Sequence, residues 1–382
     1  YKILQEAGID DADLIIAVTG SDELNLLCCT IATQVGHCAA IARVRTPEYS
    51  QEAKYLRDKL GLALIINPEL EAAIEMAHIL HLPSSLEVTN FAHGQAQLIK
   101  YEIPEGSILD GTKLMDLGTR HHANILIGAV ERDDEVTIPS GDFVLRKGDK
   151  LSFVGERRHT KEFFSHIGVN THSVKNTLII GGGKAAYYLA KQLISRGIKV
   201  KIIENSFERC EELSILLPDA VIINGDGTEQ ALLKEEGIET CQSFVPLTGI
   251  DEENIMLTLY AKQVSNAKVI TKLNRITFTN VINSLDLGSV ISPKYITSEA
   301  IIAYVRAKKN SMNCNIETLY HMYDSRVEAI EFFVSENSNV TDIPLRDLKL
   351  KKHLLICFIN RNGKIIIPTG NDCIQKNDTV MI

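Results

Sequence analysis

The chain has 382 residues, 45% of them hydrophobic and 23% charged, and 40 Lys+Arg stand against 49 Asp+Glu for a net charge of −9. At about 100–200 residues per domain this is two to four domains, each able to bury a core, and the composition is not that of a disordered or collagen-like chain. The acidic balance disfavours a nucleic-acid binder, which needs a Lys/Arg excess to release counterions, and no apolar run approaches the roughly 18 residues of a membrane span.

The chain opens at Tyr1 rather than at methionine, and no signal peptide is visible. The first predicted elements are a strand over Leu14–Val18, a helix over Asp22–Val35 and a strand over Ala39–Val44. A helix follows at Thr46-Pro47, where Thr46 suits the N-cap and Pro47 the first helical position. Glu75, His78 and His81 share helical spacing just before Pro83. They read better as a helix end, where histidine suits the dipole, than as metal ligands. The pattern then changes: Gln97–Ile103 alternates, and Ile125–Val130 and Val136–Ile138 flank the turn Arg132-Asp133-Asp134-Glu135. His121-His122 would point to opposite faces of a strand and carries no metal signal.

From Thr177 a parallel α/β pattern begins. A short buried strand, Thr177–Ile180, leads into Gly181-Gly182-Gly183-Lys184-Ala185-Ala186 and a helix over Tyr187–Arg196 that stops at Gly197. Tyr187-Tyr188 reads as helix packing rather than base stacking. Strand-like runs at Lys199–Ile203, Ala220–Asn224, Ser243–Thr248 and Lys268–Leu273 alternate with helical stretches such as Glu229–Glu236 and Asp251–Val264. Such alternation implies right-handed βαβ units in a doubly wound parallel sheet. Near the end, Leu354–Ile359 and Lys364–Ile367 flank Asn360-Arg361-Asn362-Gly363, and Asn-Gly there predicts a type I′ hairpin.

The chain repeats itself. Leu4-Gln5-Glu6-Ala7-Gly8-Ile9 returns as Leu233-Lys234-Glu235-Glu236-Gly237-Ile238, an offset of 237 − 8 = 229. Thr19-Gly20-Ser21-Asp22-Glu23-Leu24-Asn25 returns as Thr248-Gly249-Ile250-Asp251-Glu252-Glu253-Asn254, and Pro139-Ser140-Gly141-Asp142 as Pro368-Thr369-Gly370-Asn371, both again at 229. A period that long means duplicated domains rather than a solenoid. The fold expected is α/β: tandem Rossmann-like, doubly wound parallel sheets, each followed by a small β-rich α+β module. The expected boundaries are 1–75, 85–169, 174–295 and 310–382. Subtracting 229 from Gly181 places the first glycine loop at −48, so about the first fifty residues of that domain are expected to precede Tyr1. The β-rich modules end on Lys147-Gly148-Asp149 and Lys376-Asn377-Asp378 leading into a last strand, and their exposed edges suit dimerisation or regulation. The eight cysteines, Cys28, Cys29, Cys38, Cys210, Cys241, Cys314, Cys357 and Cys373, form no C-x-x-C pair and read as reduced cytosolic core thiols.

The chemistry sits in the second copy. Gly181-x-Gly183-x-x-Ala186 lies between a strand and a helix, with Glu204 twenty-three residues beyond Gly181, which is the context the dinucleotide fingerprint demands. Gly181 allows the tight turn, Gly183 lets backbone approach a pyrophosphate, and the helix N-terminus offers N–H donors to phosphate. Glu204 suits the two ribose hydroxyls and repels a 2′-phosphate, favouring NAD(H) or an adenine nucleotide over NADP(H). Arg209 either softens that exclusion or pairs with an acid among Glu208–Glu212. Asp226, Thr248 and Lys272, with Thr19 and Arg43 in the first copy, fall at carboxyl ends of parallel strands, where open α/β sheets place ligands. Helix capping is the plain alternative for Asp226 and Thr248.

Glycine loop, acid after the second strand, Gly225-Asp226-Gly227-Thr228, Leu247-Thr248-x-x-Asp251-Glu252-x-Asn254 and a β-rich tail together resemble the RCK (KTN) domain family, and two such units in tandem resemble its cytosolic regulatory subunits. The resemblance spans essentially the whole chain. It implies RCK-N nucleotide-binding domains each followed by an RCK-C domain, NAD(H) or ATP/ADP as ligands, and a homotetrameric ring. It also implies a membrane-embedded Trk-type potassium transporter subunit as partner, at the cytoplasmic face of the inner membrane, with no catalysis. By matching positions, Gly181, Gly182, Gly183, Lys184, Ala185, Glu204, Asp226, Thr248 and Lys272 would form the second pocket, and Thr19 and Arg43 part of the first. Copy one reads Arg43-Val44-Arg45 where copy two reads Lys272-Leu273-Asn274, and lysine lacks arginine's planar fork. The competing readings are an NAD-dependent dehydrogenase on the same sheet, and a nucleotide sensor for another potassium channel or an exporter. Fold alone does not separate them.

Overall fold

The computed structural model describes residues 2–36, 38–81, 87–91, 95–120, 124–169, 174–275, 282, 285–310, 315–323, 326–334, 340–351 and 353–382. His121-His122, Cys314 and the expected boundary at 85 lie outside them. In chain order the strands are β1 Leu14–Ala17, β2 Ala39–Arg43, β3 Leu64–Ile66, β4 Glu87–Phe91, β5 Ala96–Glu102, β6 Ile125–Arg132, β7 Glu135–Thr137 and β8 Lys150–Glu156. They continue with β9 Asn176–Ile180, β10 Lys199–Glu204, β11 Val221–Asn224, β12 Ser243–Pro246, β13 Lys268–Lys272, β14 Ser289–Ile291, β15 Asn315–Met322, β16 Val327–Phe333, β17 Phe358–Arg361, β18 Lys364–Ile366 and β19 Thr379–Met381.

The chain divides into two compact units that cut across the repeat: residues 1–80 with 174–301, and residues 81–173 with 302–382. The duplicated parts have sorted by kind, sheet with sheet and β-rich module with β-rich module. In the first unit the second copy forms the expected parallel sheet, ordered β11-β10-β9-β12-β13-β14, and the first copy contributes the parallel set β1-β2-β3. Isoleucine recurs in these strands, with valine in the second copy, because a parallel sheet is largely covered on both faces. On one face of the large sheet, Leu233, Leu257 and Ala261 from helices Gln230–Glu235 and Asp251–Val264 pack against Leu178, Ile203 and Phe244.

The opposite face is covered jointly by the two copies. Ala186, Leu189, Ala190 and Leu193 of helix Lys184–Ile194 share one core with Ala72, Ala73, Met76, Ala77, Ile79 and Leu80 of the first copy's helix Pro68–His81. The small residues Ala72, Ala73 and Ala77 let that helix lie close, so all six side chains are fully buried. Two side chains of the second copy hold its C-terminal carbonyls: Arg196 donates to Ala77 O at 3.0 Å and Lys268 to Ile79 O at 2.6 Å.

The second unit holds two five-stranded antiparallel sheets of the same order, β4-β5-β8-β6-β7 and β15-β16-β19-β17-β18. Both hairpin turns are two-residue type I′: Asp133 and Asp134 lie at φ 51° and 63°, Asn362 and Gly363 at 53° and 82°. The copies also share a clamp that went unforeseen. Arg132 makes a forked pair with Asp149 (2.6 and 2.7 Å) and donates to Val144 O, while Arg361 does the same with Asp378 (3.0 and 2.8 Å) and Cys373 O. Each carboxylate is 1% exposed and also accepts a backbone N–H, from Arg146 or Gln375. The aspartate of the Lys-x-Asp lead-in therefore ties the last strand to the hairpin.

Strand registers refine the repeat. β1 and β2 match β12 and β13 at 229 (243 − 14 and 268 − 39), but β3 matches β14 at 225 (289 − 64). Lys100 pairs with Ser152 where Glu331 pairs with Met381, so β5 and β16 correspond at 231 (331 − 100) while β8 and β19 keep 229 (381 − 152). The connections changed length; the strand order did not. Thr46 departs from its expected role: it stands at the N-cap before Pro47, yet its hydroxyl makes no cap and donates to Asp22 instead, at 2.6 Å. Among the described cysteines all are free, and Cys29, Cys38, Cys210 and Cys357 are buried.

Arg361→Ala should cost about 3 kcal/mol, because it leaves Asp378 buried without its counter-charge. Arg132→Ala should cost a similar amount, and chemical denaturation of each variant measures it. A loss within about 0.5 kcal/mol, the range of ordinary surface substitutions, would show that the clamps are not needed.

Candidate nucleotide site

The site is built where β9, β10, β12 and β13 end. Gly181 turns the chain out of β9 at φ +93°, a conformation side chains rarely adopt, and its N–H donates to Ile203 O at 2.8 Å. A Cβ at Gly181 would lie 3.1 Å from Leu247 O and 3.3 Å from the Thr248 Cα, so the loop nests against the end of β12. At Gly182 a Cβ would meet the Leu213 Cδ1 at 2.6 Å and the Glu204 Oε2 at 3.0 Å, whereas the space beside Gly183 is open. A side chain at Gly182 would displace Leu213 or Glu204, and Gly183, at the helix N-cap, leaves room for a ligand to approach backbone.

Glu204 closes β10. Its Oε2 accepts from Gly182 N at 2.6 Å and its Oε1 from Ser206 N at 2.8 Å. A carboxylate has about four acceptor positions, so two remain for ribose hydroxyls. Arg209 braces the loop from outside, donating to Gly182 O at 2.7 Å, and pairs with Glu212 at 2.6 Å. Its guanidinium is therefore occupied by an acid and a carbonyl.

Asp226 lies in the adjoining turn, tied in by Gly225 N donating to Glu204 O at 2.9 Å. Its Oδ1 accepts from the Thr228 backbone N–H at 2.8 Å and hydroxyl at 2.7 Å, and these bonds hold its pKa below the usual carboxylate value. Thr248 makes a turn with Ile250, its hydroxyl donating to Ile250 O at 3.1 Å. Neither caps the helix that follows, whose N-cap is Glu229 or Ile250 without a side-chain bond; both hold local turns beyond the strand ends. Lys272 reaches Leu247 O at 3.4 Å, and burial lowers its pKa against the opposing fields of Asp251 and Glu69. Ala185 is buried beneath the loop.

The first copy repeats this end of the sheet: Arg43 donates to Thr19 O at 2.6 Å. Its Nε is buried and without a hydrogen-bond partner. The two strand-end regions touch. Lys184 donates to the Thr46 hydroxyl at 3.2 Å. The Tyr188 hydroxyl donates to Arg45 O at 2.9 Å and accepts from Asn67 at 3.0 Å. Tyr187 and Tyr188 are buried and packed edge to face with ring centroids 5.3 Å apart.

Further residues hold this geometry. Asn25 accepts from Thr19 N at 2.7 Å and donates to Arg43 O at 2.9 Å; Asn254 accepts from Thr248 N and donates to Lys272 O, both at 3.0 Å. Each amide is fully buried and fixes the threonine against the cationic strand end. Asp22 accepts the backbone N–H groups of Arg45 and Thr46, as Asp251 accepts those of Asn274 and Arg275. The repeated Thr-x-x-Asp-x-x-Asn spacing was the available signal. Burial pushes the Asp22 pKa up, but the bonds from Thr46 and Arg45 and the Lys184 charge outweigh it and hold the pKa below its ordinary value.

Parallel sheets whose carboxyl ends carry a glycine loop and an acid, coupled to paired β-rich modules, define a tandem Rossmann-type protein of the RCK class. The chain matches the TrkA-N domain over residues 1–68 and 177–293 and the TrkA-C domain over 98–168 and 329–382. It belongs to the family these two domains define. It is 32% identical over 382 residues to the Trk system potassium uptake protein TrkA homolog 1 of Methanosarcina mazei, covering 98% of this chain and 84% of that one. Among solved structures, the GsuK RCK domain has the same fold, with a TM-score of 0.62 at 18% identity over 98% of this chain and 78% of that one. The GsuK channel bound to NAD gives the same TM-score and identity over 100% and 66%.

Glu204→Ala should weaken binding of NADH or an adenine nucleotide by about 1.5–3 kcal/mol, roughly ten- to a hundredfold. Calorimetry measures it, and unchanged affinity would remove Glu204 from the site. Because the Asp22 pKa is lowered by folding, its stabilisation is present above the unfolded value and is lost as pH falls through the folded value. Wild type and Asp22→Asn should therefore differ in stability at neutral pH and converge on acidification below the ordinary aspartate range. A constant difference through acid titration would contradict this assignment.

Proposed function

We propose that this chain is a nucleotide-binding regulatory subunit of a membrane potassium-uptake transporter, in which ligand at the strand ends changes the conformation of a cytosolic assembly and so controls ion flux. One observation supports it above the rest: a preformed cradle of Gly181 and Gly183 with Glu204 opposite, in a chain whose relatives are named for potassium uptake. The residues suit NAD(H), ADP or ATP. Gly181, Gly182, Gly183, Lys184 and Ala185 would lie along the phosphates, Glu204 would hold the adenosine ribose, and Asp226, Thr248 and Lys272 would border the ligand. Thr19 and Arg43 would serve the first copy in the same way. The four domains would run over 1–75, 85–169, 174–295 and 310–382. Among the described residues no helix is long and apolar enough to cross a membrane, so membrane contact would come through the transporter.

The assembly in this reading is a homotetramer docked on the cytoplasmic face of a Trk-type transporter, with no nucleic acid and no turnover of the nucleotide. A ligand shifts a conformational equilibrium only by its differential affinity for the two states. Ligands that differ in phosphate number or terminal charge should therefore bias flux differently, and coupling of about 1–3 kcal/mol is enough for a useful switch.

The test is potassium flux in vesicles holding the transporter and the protein, with NADH, ADP or ATP, for wild type and Arg43→Ala. Flux should depend on the nucleotide and that dependence should weaken in the variant. Identical flux with every nucleotide would overturn the regulatory reading. NADH should be recovered unoxidised after incubation with small carbonyl compounds, and sustained oxidation would favour a dehydrogenase.

A further inference from the structure

Lys184 is the first residue of helix Lys184–Ile194, directly after Gly183, and so carries its charge where a helix least favours a cation. Its side chain reaches across to the first copy and donates to the Thr46 hydroxyl at 3.2 Å. That hydroxyl has one proton, which it gives to the Asp22 Oδ2 at 2.6 Å, so toward Lys184 its oxygen can only accept. The order of donation is thereby fixed, from Lys184 to Thr46 to Asp22.

Asp22 is 4% exposed. Its Oδ2 also accepts the backbone N–H groups of Arg45 and Thr46, while its Oδ1 has no hydrogen bond and lies 4.0 Å from the Arg45 Nε. The Lys184 charge is one of the influences that hold the Asp22 pKa down. Tyr188, four residues along the same helix and therefore on the same face, donates to Arg45 O at 2.9 Å. The helix is thus fastened to the segment after β2 at two points, one of them charged. The second copy has no counterpart of the charged one. Its Asp251 accepts the equivalent backbone N–H groups, but Arg275 stands where the first copy has Thr46 (275 − 46 = 229).

We infer that the Thr46–Asp22 pair of the first copy competes with nucleotide phosphate for Lys184, and so sets how strongly the second copy's glycine loop favours phosphate-bearing ligands. The inference rests on the nucleotide reading of that loop. A charged phosphate oxygen is a stronger partner for an ammonium than a neutral hydroxyl, so the ligand takes the lysine, but at a cost. The cost falls on the first copy, where Asp22 keeps its backbone bonds and loses the cation beyond Thr46. Coupling of this kind is reciprocal. Whatever weakens the Lys184–Thr46 bond tightens phosphate binding, and phosphate binding loosens the first copy's hold on the helix. Adenosine, which has no phosphate, makes no claim on Lys184 and leaves the bond intact.

Calorimetry of the full chain with ADP and with adenosine, read at the site that Glu204→Ala weakens, decides the matter. Thr46→Val removes the acceptor and keeps the shape. ADP should then bind roughly three- to tenfold more tightly, about what one hydrogen bond contributes, with adenosine affinity as in wild type. Thr46→Ala removes the same oxygen and should act alike. In a Lys184→Ala background, Thr46→Val should alter ADP affinity by less than about twofold, because the two residues act through one contact. Unchanged or weaker ADP binding in Thr46→Val, an equal gain for adenosine, or the same gain without Lys184 would overturn the inference and leave the nucleotide reading in place. A wild type that binds ADP no better than Glu204→Ala would remove that reading, and the inference with it.

Discussion

Helix Pro68–His81 decides what kind of object this chain is. It belongs by sequence to the first copy, yet its apolar stripe lies in the core of the second copy's sheet, and burying Met76, Ile79 and Leu80 there removes a large apolar area from water. That one packing choice makes the two sheets a single body. It brings the strand ends of copy one beside the glycine loop of copy two, and it gives Lys184 and Tyr188 partners 138 and 143 residues away in sequence. Without it the contacts between the strand ends of the two sheets would lose the packing that holds them in register.

Much of this was legible from the sequence, and the reasons are local. Five of the six strands of the parallel sheet follow from buried apolar runs alternating with helices, while the short β14 Ser289–Ile291 did not stand out, and the turn at Asn362-Gly363 follows from residues that accept positive φ. The placement of Gly181 and Glu204 at the ends of neighbouring strands was legible because the fingerprint has a fixed spacing along one βαβ unit. What was not legible depends on contacts far apart in the chain. Sorting of the four parts into two units, the forks Arg132–Asp149 and Arg361–Asp378, and the diversion of the Thr46 hydroxyl to Asp22 each join residues that no periodicity relates. Asn25 and Asn254 stood in a motif that was seen, but a buried amide's role appears only when the strand it reaches is placed beside it.

Duplication left a record of which features tolerate change. The buried amide, the aspartate that gathers two backbone N–H groups, and the arginine–aspartate fork survive in both copies, because each satisfies polar groups that burial would otherwise leave unpaired. The strand-end cation changed from Arg43 to Lys272, and Glu131 of the first β-rich module stands where the second has Asn360. The groups that satisfy buried backbone stayed fixed, and these two did not.

The Tyr188 hydroxyl has a mechanical consequence. It is anchored at once to the carbonyl of Arg45 and the amide of Asn67, while its ring is set in the core below the glycine loop. Helix Lys184–Ile194 cannot tilt without carrying the loop after Arg43 with it, and the reverse holds as well. Two strand-end regions fastened in this way do not move separately. Under the proposed function, ligand at either region would act on one shared degree of freedom, so total binding energy would count rather than which of the two regions supplied it.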